Sequence, residues 1–129
     1  MVSINLSPRI NLISRECDGR AVVALRGELD VADAASVAAG LNAVAAGARE
    51  LIVDLAGLEF IDSSGLAALV VARKQARKAG GDLLLAGPQD QVLRVIAATR
   101  LTGVFSVQAS VGQAAGSAGR SPLMAGPVP

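Results

Sequence analysis

Asp62-Ser63-Ser64-Gly65 stands directly before an apolar run that opens at Leu66. Three small polar residues and a glycine at the start of a helix lie where free backbone N–H groups gather at the positive end of the helix dipole. Such a position attracts negative charge, a phosphoryl group included. The same residues also serve as plain punctuation, because Asp and Ser are among the best helix-capping residues. Gly65, with no side chain, would let another protein surface approach closely. Asp54, Glu59 and Asp62 are carboxylates that a magnesium ion could use, but their spacing alone is weak ground for a metal site. Asp54 reads more simply as an acceptor of loop amides at the end of a buried strand.

Other chemistries are closed off by residue type. The chain has no His, so imidazole zinc sites and Ser–His–Asp or Cys–His catalysis are impossible. A serine nucleophile at position 63 or 64 would lack a base, since no Lys lies nearby in sequence. No Gly-rich segment ends in Gly-Lys-Ser/Thr, so a Walker-type phosphate loop is unsupported. Phe60 and Phe105 are the only aromatics, which argues against stacking platforms for bases or sugars. Twelve Lys and Arg against 11 Asp and Glu leave a net charge of +1, too little for a general field toward nucleic acid or an anionic membrane.

The elements that must position these residues follow from punctuation and periodicity. With 129 residues, 52% of them hydrophobic, one aliphatic core is expected. Residues 10–17 and 20–26 read as two strands joined by Asp18-Gly19, a hairpin signal suited to a type I′ turn. Asp30 is placed to cap a first helix, with Asp33 reaching back as in a capping box. Ala34, Val37, Ala38, Leu41, Val44 and Ala45 recur at helical spacing, and Gly47 is a plausible stop. Leu51–Leu55 reads as a strand covered on both faces. A second helix begins after Asp62, with Leu66, Leu69, Val70 and Ala76 along one face, and ends at Gly80-Gly81. Arg73, Lys74, Arg77 and Lys78 form a solvated, dipole-matched end. Leu83–Ala86 is another buried strand. A third helix carries Pro88 in its first turn and Val92, Leu93 and Ile96 on its apolar face, and a last strand covers about Val104–Val107. A short final helix near Val111–Ala115 completes the order.

This pattern predicts an α/β fold: a mixed β-sheet of about four or five strands with helices packed mainly on one face. Residues 1–9 read as an N-terminal extension, 10–115 as the domain, and 116–129, rich in Gly, Ser and Pro, as a disordered tail. The lone Cys17 suits a reducing compartment and an inert strand position. The longest apolar run, Leu66–Ala72, is far short of the roughly 20 residues of a bilayer span, and Arg9 and Arg15 interrupt the only apolar stretch near the start. A cytoplasmic location is expected.

Four pieces, in order, resemble one family: Gly27-Glu28-Leu29-Asp30; Leu51–Leu55; Phe60-Ile61-Asp62-Ser63-Ser64-Gly65-Leu66; and Val92–Ile96 followed by Leu101-Thr102-Gly103-Val104-Phe105. Together they look like the STAS domain of bacterial anti-sigma factor antagonists, over about residues 10–107. The resemblance implies a non-enzymatic partner switch. In its unphosphorylated form such a protein binds an anti-sigma factor that is also a serine kinase, and so frees a sigma factor. Phosphorylation of the serine after the Asp, here Ser63, ends that binding until a serine phosphatase restores it. ATP and magnesium would belong to the kinase, leaving this chain without a cofactor, and no direct contact with nucleic acid or membrane is implied. The expected partner-binding residues are Asp30, Asp62, Ser63, Ser64 and Gly65, although Asp30 reads first as a helix cap. The same residues leave open a STAS subunit of another assembly, a stress-signalling scaffold or lipid-transport complex. One departure stands out: residues 108–129 carry no acidic side chain where the family has an acidic amphipathic helix.

Overall fold

Alternation of branched aliphatic residues builds the centre of the sheet. In a computed structural model that describes residues 2–17, 19–46, 50–101 and 104–117, the elements are β1 (Val2–Ser7), β2 (Ile10–Cys17), β3 (Arg20–Leu29), α1 (Ala34–Ala45), β4 (Leu51–Asp54), β5 (Leu58–Ile61), α2 (Ser63–Lys78), β6 (Leu83–Ala86), α3 (Asp90–Ala98), β7 (Ser106–Gln108) and α4 (Val111–Ser117). The strands lie in the order β1-β2-β3-β4-β6-β7, and β5 pairs with β3 beyond the end of β4. The β1/β2 and β2/β3 pairs are antiparallel, whereas β3/β4, β3/β5, β4/β6 and β6/β7 are parallel.

Successive side chains on a strand point to opposite faces. Val23, Val53 and Leu85 therefore share one face with Leu41 of α1, Leu66 and Leu69 of α2, and Val92 and Ile96 of α3. Val22, Ile52 and Leu84 face the other way, onto Ala114 and Val111 of α4. Three helices on one face and one short helix on the other make the expected mixed α/β fold. Each fully buried Leu or Val contributes roughly 1.5–3 kcal/mol relative to exposure. Among the described residues, no helix is long and apolar enough to cross a membrane.

The sheet has seven strands among the described residues, more than the four or five expected. One extra strand is β1, inside the segment read as an extension. Its Leu6 packs against the core while Val2 and Ile4 stay exposed, so its apolar signal is that of an edge. The other is β5, too short to stand out. Cys17 pairs with Arg20 where β2 and β3 meet; Asp18, Gly47, the Cys17 side chain and the tail from residue 118 lie outside the described residues, and Gly116 and Ser117 close α4.

The capping expected at α1 does not form. Asp33 precedes the helix with φ −113° and ψ −2° and makes no side-chain cap bond. This is not the extended backbone that aims a cap at the first free amides. Its carboxylate instead accepts from the Ser7 hydroxyl at 3.0 Å, and Asp30 accepts from the Ala32 N–H at 3.0 Å. Pro88 lies one residue before the α3 N-cap, Gln89, not in the first turn, and Leu93 is exposed, so the buried stripe of α3 is Val92 and Ile96. Helix α2 does stop at the glycines, where Gly81 N–H reaches back to the Ala76 carbonyl at 2.9 Å. Arg73 and Arg77 are not merely solvated: they lie 3.6 and 3.4 Å from Asp82 at the entry to β6.

Candidate functional site at the start of helix α2

The site forms where β3 and β5 end side by side. Strand β3 runs past β4, first pairing Ala21–Ala24 with Leu51–Asp54 and then Gly27–Leu29 with Leu58–Ile61. The change of partner needs a kink, and the register shifts between Gly27 and Glu28. Gly27 has φ +108°, and a Cβ there would run into the Arg9 carbonyl, which accepts from Glu28 N–H at 2.8 Å. Only glycine meets both demands. In the loop from β4 to β5, Asp54 accepts from Ala56 N–H at 3.0 Å, the loop-amide role expected of it. Among the described residues, no group of three or more carboxylates or thiols could hold a metal ion, so Asp54, Glu59 and Asp62 do not assemble into a magnesium site.

Asp62 follows β5 directly. Its N–H donates to the Leu29 carbonyl at 3.2 Å, and its extended backbone turns the carboxylate onto Gly65 N–H at 2.8 Å. The first turn of α2 is thus capped from one side and tied to β3 from the other. Ser63 is exposed, Ser64 half-buried and Gly65 buried.

Gly65 does not make room for another protein. A Cβ on it would lie 2.7 Å from the Leu29 carbonyl oxygen and 2.8 Å from both Leu29 Cγ and Ile61 Cγ1. The close approach it permits is internal, α2 settling onto the ends of β3 and β5, and that corrects the sequence-based reading of this residue.

Asp30 and Asp62 each follow one of a register pair, Leu29 and Ile61, so the two acids emerge together at the strand ends. Asp30 is bound by the Arg9 guanidinium through both carboxylate oxygens, one at 2.6 Å. Exposed apolar groups flank the serines: Val31, 72% exposed, in the loop after β3, and Phe60, 38% exposed, on β5. Three contributors have no motif to announce them. Arg9 comes from the β1–β2 turn. Gln91 of α3 binds both backbone groups of Ile61, and Gln89 donates to the Ala56 carbonyl at 2.8 Å.

This combination of a mixed sheet, helices mainly on one face and a capped serine pair at an exposed helix start is that of a STAS domain. Residues 11–114 match the STAS domain family, and the chain belongs to it. Among its relatives, BtrV of Bordetella bronchiseptica, described as an anti-sigma factor antagonist, is 30% identical over 99 residues, 76% of this chain and 85% of that protein. An anti-sigma factor antagonist from Mycobacterium paratuberculosis superposes with a TM-score of 0.78 at 26% identity, covering 91% of this chain and 98% of that one. The fold is also that of the anti-sigma factor antagonist SpoIIAA in its unphosphorylated form, with TM-score 0.69, 21% identity, and 92% and 99% of the two chains covered. SpoIIAA of Bacillus is known in its phosphorylated form as well, with TM-score 0.63, 20% identity, and 81% and 96% covered.

Proposed function

We propose that this protein is a non-enzymatic, cytoplasmic anti-sigma factor antagonist whose partner binding is switched off by phosphorylation of Ser63. The observation that carries the reading is the exposure of Ser63 immediately after a formed Asp62 cap, on a helix whose anchor, Gly65, lies buried beneath it. A phosphoryl group adds about −1.5 to −2 charge and considerable bulk. At a helix N-terminus the dipole accommodates that charge, so the fold persists while the surface changes. The unmodified surface, Ser63 and Ser64 with Asp30 and Asp62 alongside and Gly65 below, binds an anti-sigma factor that is also a serine kinase and releases its sigma factor. A serine phosphatase resets the switch. ATP and magnesium act within the kinase, and this chain requires no cofactor of its own. Relatives described as anti-sigma factor antagonists, and a structural neighbour solved both without and with phosphate, support the reading.

The test is to recover the protein with its bound partner from native cells, identify the partner by mass, and incubate the pair with ATP. Phosphate should map to Ser63 by fragmentation and be lost in Ser63→Ala, which keeps partner binding. Phosphate confined to Ser64, or retained in Ser63→Ala, refutes the assignment.

A further inference from the structure

The end of β5 is held from two sides, and only one of them is a strand. In a strand, the N–H and C=O of one residue point the same way and those of the next residue point oppositely. Asp62 N–H goes toward β3, onto the Leu29 carbonyl, so both backbone groups of Ile61 point away from β3. On that outer side β5 has no strand partner among the described residues. Gln91, in the first turn of α3, fills the place. Ile61 N–H donates to Gln91 Oε1 at 3.0 Å, and Gln91 Nε2 donates to the Ile61 carbonyl at 3.0 Å. The side-chain amide thus presents the donor and acceptor that a neighbouring strand would present. Gln89, just before the helix, holds the Ala56 carbonyl at the other end of the same segment.

We propose that Gln91 is the positioning residue for Ser63. By fixing both backbone groups of Ile61 it fixes the residue that precedes the Asp62 cap, and through the cap the direction in which Ser63 leaves the first turn of α2. The inference rests on the reading of Ser63 as the modified serine. Its geometry makes a distinction that general destabilisation cannot. Gln91→Leu removes donor and acceptor together. Gln91→Glu keeps an acceptor for Ile61 N–H but sets a carboxylate against the Ile61 carbonyl, a clash relieved when the carboxyl group is protonated and its O–H can donate.

Two readouts test this. The first is amide hydrogen exchange of Ile61, measured against the parent at each pH, so that the parent's own Glu59, Asp62, Asp90 and Arg94 are controlled for. Loss of the paired bonds in Gln91→Leu should speed Ile61 exchange about tenfold at pH 7, with the central amides of Val23 and Val53 unchanged. Gln91→Glu, which keeps the acceptor, should show a smaller acceleration at pH 7 and return toward the parent as pH falls to about 4, the ordinary range of a glutamate carboxyl. Gln91→Leu should show no such return. The second readout is phosphate incorporation at Ser63 by the serine kinase recovered with the parent protein. Its kcat should fall about tenfold in Gln91→Leu and less in Gln91→Glu at pH 7, with KM changed much less, because one misdirected hydroxyl leaves most of the contact surface in place. Parent-like exchange at Ile61 in Gln91→Leu overturns the clamp. Acceleration in Gln91→Glu that ignores pH, or parent-like kcat despite accelerated exchange, overturns the positioning role. Absence of phosphate on Ser63 of the parent itself overturns the functional reading, while the exchange data still decide whether Gln91 holds Ile61.

Discussion

Replacing Gly65 with alanine probes the seat of the site with a single methyl group. The added Cβ would lie 2.7 Å from the Leu29 carbonyl oxygen and 2.8 Å from Leu29 Cγ and Ile61 Cγ1. None of these atoms yields cheaply. The carbonyl oxygen is backbone and accepts from Asp62 N–H, and both side chains are fully buried. Helix α2 must therefore lift by several tenths of an ångström, which strains the 2.8 Å bond from Gly65 N–H to Asp62. Overpacking of this kind costs about 1–3 kcal/mol, whereas Ala in place of Gly in a helix interior gains up to about 1 kcal/mol. A net loss of about 1–2 kcal/mol follows. With a urea slope of about 2 kcal/mol per molar, the unfolding midpoint should fall by roughly 0.5–1 M with little change in slope. Gly112→Ala in α4 is the internal control, because the nearest atom to its Cβ is Ser110 Oγ at 3.8 Å. That variant should unfold at the parent midpoint or above it. A Gly65→Ala midpoint equal to or higher than the parent's would refute the close internal seat, since propensity alone would then have decided the sign.

Further outcomes are expected. Ser63→Asp should leave unfolding free energy within about 1 kcal/mol of the parent, since a carboxylate at a helix N-terminus is tolerated or favourable, while abolishing partner capture; calorimetric titration and thermal melts check the two halves. Asp62→Ala should cost about 0.5–2 kcal/mol through loss of the cap, measured by urea unfolding, with Asp62→Asn recovering most of it. Arg9→Ala should cost less than about 1 kcal/mol, because the Arg9 side chain is about half exposed where it meets Asp30. Its cost should shrink further in added salt, and a large, salt-insensitive loss would contradict the exposed geometry.

Much of this architecture is legible from residue order. The hairpin around Gly19, the aliphatic strands at Leu51 and Leu83, and the helix opening after Asp62 all announce themselves by period and punctuation. Strand β5 does not. In Leu58-Glu59-Phe60-Ile61 the two ends are buried and the middle pair exposed, so simple alternation is missing. The extra residue lies on β5 itself, where Glu59 falls between the partners of Gly27 and Glu28, and this irregularity breaks the alternation. Strand β1 alternates visibly as Val-Ser-Ile-Asn-Leu-Ser, but an edge strand with exposed Val2 and Ile4 gives only a weak burial signal. At the site, the cap and the exposed serine follow from local sequence, whereas Gln91 and Arg9 act across 30 and 21 residues. A polar side chain on a helix or in a turn carries no mark of so distant a backbone partner. Gly65 illustrates the opposite error. A missing side chain signals close approach, and only the packing shows that the approaching surface is the chain's own.

On the proposed reading, the arrangement of charge lets one serine govern recognition. Two carboxylates already stand at the strand ends, and the fold occupies both: Arg9 binds Asp30, and Gly65 N–H occupies Asp62. The unmodified surface also presents the Ser63 hydroxyl and exposed Val31 and Phe60, groups a partner can cover at little desolvation cost. The guanidinium at these strand ends, that of Arg9, is engaged by Asp30 and lies 4.0 Å from Asp33, so it is not free to pair a phosphoryl group on Ser63. Its charge would stay on the surface, and covering it would cost several kcal/mol unless the partner paired it. A change of about 3 kcal/mol already alters affinity more than a hundredfold. An Arg9 released by Asp30, with only Asp33 still beside it at 4.0 Å, would be more available to a charge at Ser63 and would weaken the switch. Asp30→Asn should therefore narrow the difference in partner affinity between the parent and Ser63→Asp forms. An undiminished difference would mean that Asp30 only shapes the loop.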